Sequence, residues 1–240
     1  MNYALLLSGG TGARAGFEIP KQYVHADGHM MVTYALMPLL RCEKIDAVYI
    51  VAEREWRNDI WTDAENAGSV ISKIVAYADA GESRQMSILN GMDEIMRDIG
   101  ERAEDSKVGE GDTILIHDAA RPFLSDQLLQ DCYEALEGHD GVLPVLPMKD
   151  TVYISESGIT VSSLIQRSTV YAGQAPELFR FKKYYSANRK LLPNAINDVC
   201  GASEPAILNG MDVVMIRGDE ENFKVTTAAD MLRFKNRYEV

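Results

Sequence analysis

A glycine-rich loop followed by two cations is the part of this chain best suited to chemistry. An apolar run at residues 4–7 predicts a buried strand, and Arg14 and Lys21 come shortly after it. The small residues between them include Ser8, Gly9, Gly10, Thr11 and Gly12. Glycines allow backbone amides to turn toward an anion without interference from a Cβ atom, and two cations neutralise the charge of a polyphosphate. The stretch predicts a loop that holds a nucleoside triphosphate while one of its phosphates reacts.

Other kinds of glycine loop fit this stretch less well. Residues 10–15 match the loose dinucleotide-binding fingerprint, which places a short turn directly before a helix. Here the loop continues past Gly16 to Pro20, and no acidic residue ends a clear second strand at the usual distance. The Walker pattern fails because no Gly-Lys-Ser/Thr occurs in the sequence. A plain tight turn with solvated surface cations remains an alternative.

A second candidate lies in residues 114–125, where a buried strand ends in His117 and Asp118. Ligands bind at the carboxyl ends of parallel strands, so Asp118 is placed to help bind a divalent metal on the phosphates. Arg121 is placed to hold a second phosphate group. A turn or capping role for Asp118 and a structural salt bridge for Arg121 are the alternatives, and we interpret His117 as a packed core or turn histidine.

A third candidate is Lys224, which stands between Phe223 and Val225. The alternation predicts a short strand whose lysine points away from the buried face and into the crevice. A surface lysine is the alternative. Asp230, shortly after two threonines, is predicted to cap the final helix.

A fourth candidate is the stretch 80–92, which joins a predicted strand to a predicted helix. Ser87 lies one turn into the helix, where its hydroxyl can bond a nucleobase, and Arg84 can orient the loop. Helix capping is the alternative for these side chains.

The composition excludes several classes of protein. The chain has 240 residues and a net charge of −12, without the basic balance of a nucleic-acid binder. It has no run of about 18 apolar residues that would span a membrane, and its N-terminus lacks the basic start of a signal peptide. We expect a cytoplasmic protein. The cysteines Cys42, Cys132 and Cys200 are widely spaced, so they are expected to be reduced thiols.

The order of apolar runs and helical patterns indicates the fold class. Strands are predicted at residues 4–7, 47–51, 71–76, 113–116, 141–144 and 213–216, and helices at 31–41, 83–99 and 126–136. Strands that alternate with helices predict an α/β fold with a mostly parallel sheet and helices on both faces. One domain over residues 1–240 is expected.

One segment interrupts the alternation. Residues 151–154 and 159–165 are predicted as two strands joined by a tight turn at 155–158. Such a hairpin does not easily join a parallel sheet, so it is expected to project as an arm at about residues 150–171. Exposed strand edges tend to pair with another chain, and we therefore expect a homodimer formed partly through this arm.

Taken together, these stretches resemble the polyol-phosphate cytidylyltransferases, which load CTP onto 2-C-methyl-D-erythritol 4-phosphate or ribitol 5-phosphate. The resemblance spans nearly the whole chain in order. It rests on GGTGxRxG followed by PKQ, on HDAARPF, and on KDTV, GQAPELF and ENFKVTT. It implies a Rossmann-like fold, CTP and a polyol phosphate as substrates, and Mg²⁺ as the metal.

The resemblance also implies roles for individual residues. Arg14 and Lys21 match the pair that stabilises the transition state at the α-phosphorus, and the loop from Ser8 to Gly12 matches the one that wraps the triphosphate. Gly81, Glu82 and Ser87 match the cytosine-recognising segment. Positions near the ribose, the metal and the polyol phosphate are matched by Asp118, Arg121 and Lys224. Thr151 and Arg167 match arm residues that reach the neighbouring subunit's site.

Two departures from the family pattern concern the polyol side. The family usually has Thr-Pro-Gln where this chain has Ala175, Pro176 and Glu177, which removes a hydroxyl. The family's Asp-containing motif aligns with residues 196–206 through either Asn197–Asp198 or Ser203–Glu204. Methylerythritol phosphate is favoured over ribitol phosphate because Arg167 and Ser168 fit the former group better. A nucleotide-binding regulatory or scaffold protein and an NAD-dependent oxidoreductase are the alternative classes.

Overall fold

The structure is a computed structural model that describes residues 1–10, 19–102 and 108–238. The strands are β1 Asn2–Leu7, β2 His25–Ala26, β3 His29–Met30, β4 Ala47–Val51, β5 Ile74–Ala78, β6 Thr113–Asp118, β7 Gly141–Pro147, β8 Val152–Ile154, β9 Ser163–Ile165, β10 Tyr171–Gly173, β11 Glu177–Arg180 and β12 Val213–Arg217. The α-helices are α1 Met31–Arg41, α2 Arg57–Asn66, α3 Arg84–Arg102, α4 Asp126–Ala135, α5 Phe181–Arg189, α6 Glu204–Leu208 and α7 Ala228–Tyr238.

A mixed, mostly parallel sheet forms the centre of the molecule. Its strands run in the order β10-β7-β11-β6-β1-β4-β5, and β12 pairs with β7. The strands β6, β1, β4 and β5 are parallel to one another, as are β7 and β12. The strands β10 and β11 run antiparallel to their neighbours. The expected α/β, Rossmann-like architecture is confirmed.

Helices cover both faces of the sheet because successive strand residues point to opposite sides. On one face, Ala4 and Leu6 of β1 pack with residues of α1, α2 and α4. On the other face, Tyr3 and Leu5 pack with residues of α3 and α5. The central strands are buried on both sides, which explains their nearly continuous apolar sequences.

Sequence patterns located most elements but misplaced some of their limits. The predicted bounds of β4 and α1 are confirmed. The prediction for β5 began too early because Ile71–Lys73 forms a turn of 3-10 helix before the strand. The structure leaves Cys42, Cys132 and Cys200 without disulfides, as expected. Within the described part of the chain, no helix has the length and apolar character needed to cross a membrane.

The arm is a hairpin separate from the main sheet. Strands β8 and β9 pair only with each other, in the register Val152 to Ile165. The tight turn predicted at residues 155–158 is wrong, because eight residues (155–162) connect the two strands. Several apolar side chains of the arm are exposed, and Ile159 reaches 90%. The arm therefore presents apolar surface that its own chain does not cover.

Candidate active site

The candidate site lies where the direction of the sheet's strand order reverses. From β1 the chain moves outward through β4 and β5, and it then returns to the other side of β1 as β6. Leu7 at the end of β1 pairs with Asp118 at the end of β6. A crevice opens at such a reversal, outside the carboxyl ends of the strands, and ligands of open α/β sheets bind there.

The described start of the glycine loop, residues 8–10, lies at this crevice, and Gly9 packs closely against a neighbouring loop. The Ser8 amide donates to the Val51 carbonyl at 2.8 Å, so the loop leaves β1 in a fixed direction. A Cβ atom on Gly9 would lie 2.4 Å from the Cβ of Ala80, which only glycine avoids. A cavity of about 670 Å³ borders Ser8, Gly9 and Gly10. The predicted ligands Thr11, Gly12 and Arg14 lie outside the described residues.

Two side chains that the sequence reasoning did not single out hold the segment of Lys21 beside this loop. Gln22 Nε2 donates to the carbonyls of Ser8 at 2.8 Å and Gly10 at 2.6 Å. The Tyr23 hydroxyl donates to the Ser8 carbonyl at 2.8 Å. Lys21 directly precedes them in a short 3-10 turn, so it is fixed next to the loop. Gln22 belongs to the PKQ motif, which was the available signal, whereas nothing in the sequence marked Tyr23.

The loop between β5 and α3 is held by its own hydrogen bonds. Ser87 Oγ accepts the Gly81 amide at 3.0 Å and donates to the Ser83 carbonyl at 3.0 Å. Ser83 Oγ in turn accepts the Met86 amide at 3.1 Å. A Cβ atom on Gly81 would lie 2.5 Å from that of Met86. Ser83 therefore caps the start of α3, and Ser87, for which capping was the alternative, holds the loop through the Gly81 amide. Glu82 is exposed, and the role of this loop toward cytosine stays a prediction.

Asp118 connects two cations from distant parts of the chain. Its Oδ1 accepts from Arg84 Nε at 3.1 Å and Nη2 at 2.9 Å, and its Oδ2 accepts from Lys224 Nζ at 2.7 Å. Burial acts to raise the pKa of Asp118, but the charges of Arg84 and Lys224 outweigh it and hold that pKa well below its usual range. The carboxylate therefore stays ionised and keeps both cations at the crevice.

Lys224 lies in an irregular segment and not in the predicted strand. The segment is fixed by Val225, which is fully buried and donates its amide to the Ala120 carbonyl at 2.8 Å. Lys224 nevertheless points toward the crevice, as expected, because its neighbours in the chain face the core formed with α7. Asp230 accepts the amides of Thr226 and Thr227 at 2.9 and 2.8 Å, which confirms its capping role.

Arg121 and His117 form a network with the segment of Lys224. Arg121 Nη1 donates to the Asn222 carbonyl at 2.7 Å, in place of the salt bridge that was the alternative reading. Asn222 Nδ2 donates to the Ala175 carbonyl at 2.8 Å. His117 is fully buried, which confirms the expectation of a packed core or turn histidine, and burial lowers its pKa to about 4. The Arg121 side chain is thus held beside Asp118.

Glu177, at one of the departures from the family pattern, lies against the same cluster. It begins β11, which runs antiparallel to β6. Its Oε1 is 3.7 Å from Arg84 Nη2, whereas its buried Oε2 has no hydrogen-bond partner among the described residues. Burial, with the charge of Asp118, raises the pKa of Glu177 to about 7, although Arg84 opposes the shift.

The two segments that were open to alternative alignment both face the site. Ser83 Oγ donates to Asn197 Oδ1 at 2.9 Å, so residues 195–198 lie against the start of α3. The backbone of Ser203 faces the carboxyl group of Glu177. The structure therefore places Asn197 against the start of α3 and Ser203 beside Glu177.

Thr151 and Arg167 lie at the base of the arm, away from the contacts that build the Asp118 cluster. Arg167 Nη1 donates to the Lys149 carbonyl at 2.8 Å, and Thr151 is exposed. Lys149 Nζ is 2.6 Å from Glu220 Oε2, which ties the arm to the segment that leads to Lys224. The contribution of Thr151 and Arg167 to a neighbouring subunit's site stays a prediction.

The carboxylates of the site offer little room for a metal ion in this arrangement. Both oxygens of Asp118 are occupied by cationic side chains. Among the described residues, no group of three or more His, Cys, Asp or Glu side chains is arranged to hold a metal. Asp118 would have to give up a cation before it bound Mg²⁺ directly, so the donor set as it stands does not fit a protein-held metal.

Comparisons with known proteins show the family of this chain. A model of the 2-C-methyl-D-erythritol 4-phosphate cytidylyltransferase family matches residues 3–236. A bifunctional enzyme IspD/IspF of Maricaulis maris is 31% identical over 96% of this chain, and this chain spans about half of that protein, 55% of its length. A 2-C-methyl-D-erythritol 4-phosphate cytidylyltransferase of Geobacter metallireducens is 30% identical, with 96% of this chain and 94% of that protein covered.

Further matches carry a different name or the fold alone. A ribitol-5-phosphate cytidylyltransferase of Lacticaseibacillus paracasei is 28% identical, with 97% of this chain and 95% of that protein covered. The crystal structure of the Francisella tularensis 2-C-methyl-D-erythritol 4-phosphate cytidylyltransferase superposes with a TM-score of 0.79 at 22% identity, covering 99% of each chain. With a family match over almost its full length, this chain belongs to the 2-C-methyl-D-erythritol 4-phosphate cytidylyltransferase family, a family of nucleotidyltransferases.

Proposed function

We propose that the chain transfers the cytidylyl group of CTP to a polyol phosphate, with 2-C-methyl-D-erythritol 4-phosphate as the favoured acceptor. The observation that carries the proposal is the set of cations Arg84, Arg121 and Lys224, which Asp118 and Asn222 hold at the crevice beside the glycine loop. Such a set suits two phosphate-bearing substrates that must approach each other, because it neutralises their mutual repulsion.

The reaction is a direct in-line displacement. A phosphate oxygen of the acceptor attacks the α-phosphorus of CTP, the bond from that phosphorus to the bridging oxygen of the β-phosphate breaks, and pyrophosphate leaves with the electron pair. The acceptor's phosphate is ionised near neutral pH and is already a nucleophile, so the protein need not supply a base or form a covalent intermediate. Catalysis then depends on positioning and on neutralisation of charge.

The residues divide into two groups on this account. The backbone of the glycine loop cradles the triphosphate, with Lys21 and Arg14 at the α-phosphate, and Arg14 is assigned from the sequence alone. The loop at Gly81 and Ser87 borders the base. Lys224 and Arg121 face the acceptor's phosphate, and Asp118 orients Lys224. Lys224 is accessible for this role because 38% of its side chain is exposed.

We propose that Mg²⁺ binds together with the nucleotide. Magnesium usually keeps several waters and binds through substrate phosphates with one or two carboxylates. When bound it would neutralise charge on the triphosphate. Arg84 and Lys224 engage both oxygens of Asp118, so the positioning of these cations does not depend on the metal.

A homodimer formed through the arm is a further part of the proposal. Its support is the exposed apolar surface of the arm, which includes Tyr153, Ile159 and Leu164. Action in the cytoplasm, without nucleic-acid or membrane partners, is also proposed and rests on the composition.

The second candidate is a ribitol-5-phosphate cytidylyltransferase, which makes CDP-ribitol for cell-surface polymers. The observation that favours it is the 28% identity to the Lacticaseibacillus paracasei protein of that name, which is close to the 30% found for the Geobacter metallireducens protein. Ala175 stands where the family usually has a threonine, so this chain lacks a hydroxyl group on the side that binds the polyol.

A panel of acceptors tests the proposal. Pyrophosphate release is measured with CTP, Mg²⁺ and either methylerythritol 4-phosphate or ribitol 5-phosphate, and the CDP-polyol is identified by mass spectrometry. We expect turnover with both components present and none without an acceptor, with methylerythritol 4-phosphate giving the higher kcat/KM. A higher kcat/KM for ribitol 5-phosphate would establish the second candidate. If the protein binds CTP but releases no pyrophosphate with either acceptor, it is a nucleotide-binding protein that does not catalyse this reaction.

A further inference from the structure

The carboxyl group of Glu177 is buried in the phosphate-facing cluster without a complete set of partners. Only 7% of the residue is exposed, and its Oε2 accepts no hydrogen bond from the described residues. Its Oε1 lies 3.7 Å from Arg84 Nη2, too far for a hydrogen bond. A buried carboxylate that leaves one oxygen without a partner, with only the Ser203 backbone and an ion pair at 3.7 Å beside it, contributes little to stability. Its presence therefore calls for a reason other than packing.

The charges that face Glu177 come from several elements. Arg84 reaches it from α3, Asp118 and Arg121 from the end of β6 and the loop after it, and Tyr184 from α5, while the backbone of Ser203 faces it from the segment before α6. Lys224 joins the cluster through Asp118. The cluster contains the cations Arg84, Arg121 and Lys224 and the anion Asp118. With an uncharged residue at position 177 its net charge would be about +2, and an ionised Glu177 lowers that charge to about +1.

We propose that Glu177 is a specificity-determining residue whose charge weakens binding of the acceptor's phosphate, so that this chain selects acceptors that also gain affinity from their polyol part. The inference deepens the proposed function and rests on it. The effect acts through the field of the cluster, because the side chain is buried and has no need to touch the acceptor. A glutamine has the same shape without the charge, which makes the role of the charge separable from that of the fold.

CTP is expected to respond less than the acceptor to the charge at position 177. The glycine loop that cradles its phosphates is held to the segment of Lys21 by Gln22 and Tyr23. The cations that interact with Glu177 are instead Arg84 and Arg121. A change in the KM for the acceptor without a change in the KM for CTP therefore distinguishes an effect on specificity from a general loss of structure.

The test compares Glu177→Gln and Glu177→Met with the wild type and with Glu137→Gln. Glu137 is an exposed carboxylate near the end of α4, so its replacement makes the same change in net charge away from the site. At pH 8 we expect the KM for methylerythritol 4-phosphate to fall about tenfold in both Glu177 variants, the KM for CTP to change less than about twofold, and Glu137→Gln to match the wild type. A gain in affinity cannot come from damage to the fold.

The pH dependence gives a second readout. Burial raises the pKa of Glu177 to about 7, so the advantage of the Gln variant over the wild type should shrink between pH 8 and pH 6 as the wild-type carboxyl group takes up a proton. Taking the ratio of the two proteins cancels the titration of the acceptor itself. An unchanged or higher KM for the acceptor in both variants at pH 8 would overturn the inference.

Failure of the proposed function would be distinguishable from failure of this inference. If the wild type turned over neither polyol phosphate, the proposed function would be wrong. Calorimetric titration with inorganic phosphate at pH 8 would then still decide the role of Glu177. Tighter binding by Glu177→Gln and Glu177→Met than by the wild type would support the inference, and equal or weaker binding would overturn it.

Discussion

The contact between Lys224 and Asp118 gives a quantitative prediction. Lys224 Nζ lies 2.7 Å from Asp118 Oδ2, while Arg84 occupies the other oxygen. Coulomb's law gives about 6 kcal/mol for such a pair at an effective dielectric constant of about 20. The cost of taking both charges out of water, and the exposure of 38% of the lysine side chain, reduce the coupling to about 1–2 kcal/mol.

A double-mutant cycle measures this coupling. Asp118→Asn, Lys224→Met and the double variant are unfolded in urea and followed by tryptophan fluorescence. We expect Asp118→Asn to lower the free energy of unfolding by about 3 kcal/mol, because it leaves Arg84 and Lys224 close together without their counter-charge. Lys224→Met should cost about 1 kcal/mol, and the loss in the double variant should fall short of the sum by about 1–2 kcal/mol.

The sign of the pH dependence follows from the direction of the pKa shift. The pKa of Asp118 is lowered in the folded protein, so its stabilisation is present above the ordinary pKa of an aspartate and is lost as the pH falls through the lower folded value. The part of the stability difference between the wild type and Asp118→Asn that comes from ionised Asp118 should therefore shrink as the pH falls below about 4.

The exposed pair of Lys149 and Glu220 is the matched control for this cycle. Its atoms are 2.6 Å apart, but both side chains are more than half exposed, at 69% and 60%. Screening by water should make its coupling much weaker than that of the Lys224 pair. Strictly additive effects of Asp118→Asn and Lys224→Met would refute the reasoning, because the two side chains would then not form the pair on which the cluster depends.

Three further predictions concern catalysis, loop packing and assembly. Lys21→Ala should lower kcat by about 10²-fold in the pyrophosphate-release assay with little change in the melting temperature, since its charge acts in the transition state; near-normal turnover would contradict its assigned role. Gly81→Ala should cost about 1–3 kcal/mol in urea unfolding because its Cβ would crowd Met86, whereas Gly100→Ala, with open space around it, should cost nothing; equal effects would contradict the packing argument. Ile159→Asp should leave the fold intact and lower the molar mass found by light scattering from that of a dimer to that of a monomer; an unchanged dimer would exclude this part of the arm from the interface.

Local sequence patterns predicted the fold because the central strands are apolar and the helices α1, α3 and α4 between them are amphipathic. The strand β4 and the helix α1 were found with their bounds, and a polar residue marks one end of each, Asp46 before β4 and Arg41 at the end of α1. The error at β5 arose because an apolar stretch cannot show where a 3-10 turn ends and a strand begins. Lys224 was assigned to a strand from three alternating residues. Its position is instead set by its neighbours Phe223 and Val225, which pack in the core formed with α7.

The candidate site was predicted residue by residue but not as an arrangement. Asp118 and Lys224 are 106 positions apart, and no local pattern indicates that they form a pair. Arg84 was expected only to orient its loop, yet it binds the same carboxylate from a third segment. The position of Glu177 within this cluster depends on β11 running antiparallel to β6, which the sequence did not predict.

Calorimetric titration of the purified chain with CTP in the presence of Mg²⁺ tests the central claim most directly. The glycine loop, held to the segment of Lys21 by Gln22 and Tyr23, should bind CTP at one site per chain, and NAD should give no heat of binding under the same conditions. Absence of CTP binding, with the protein folded, would contradict the account.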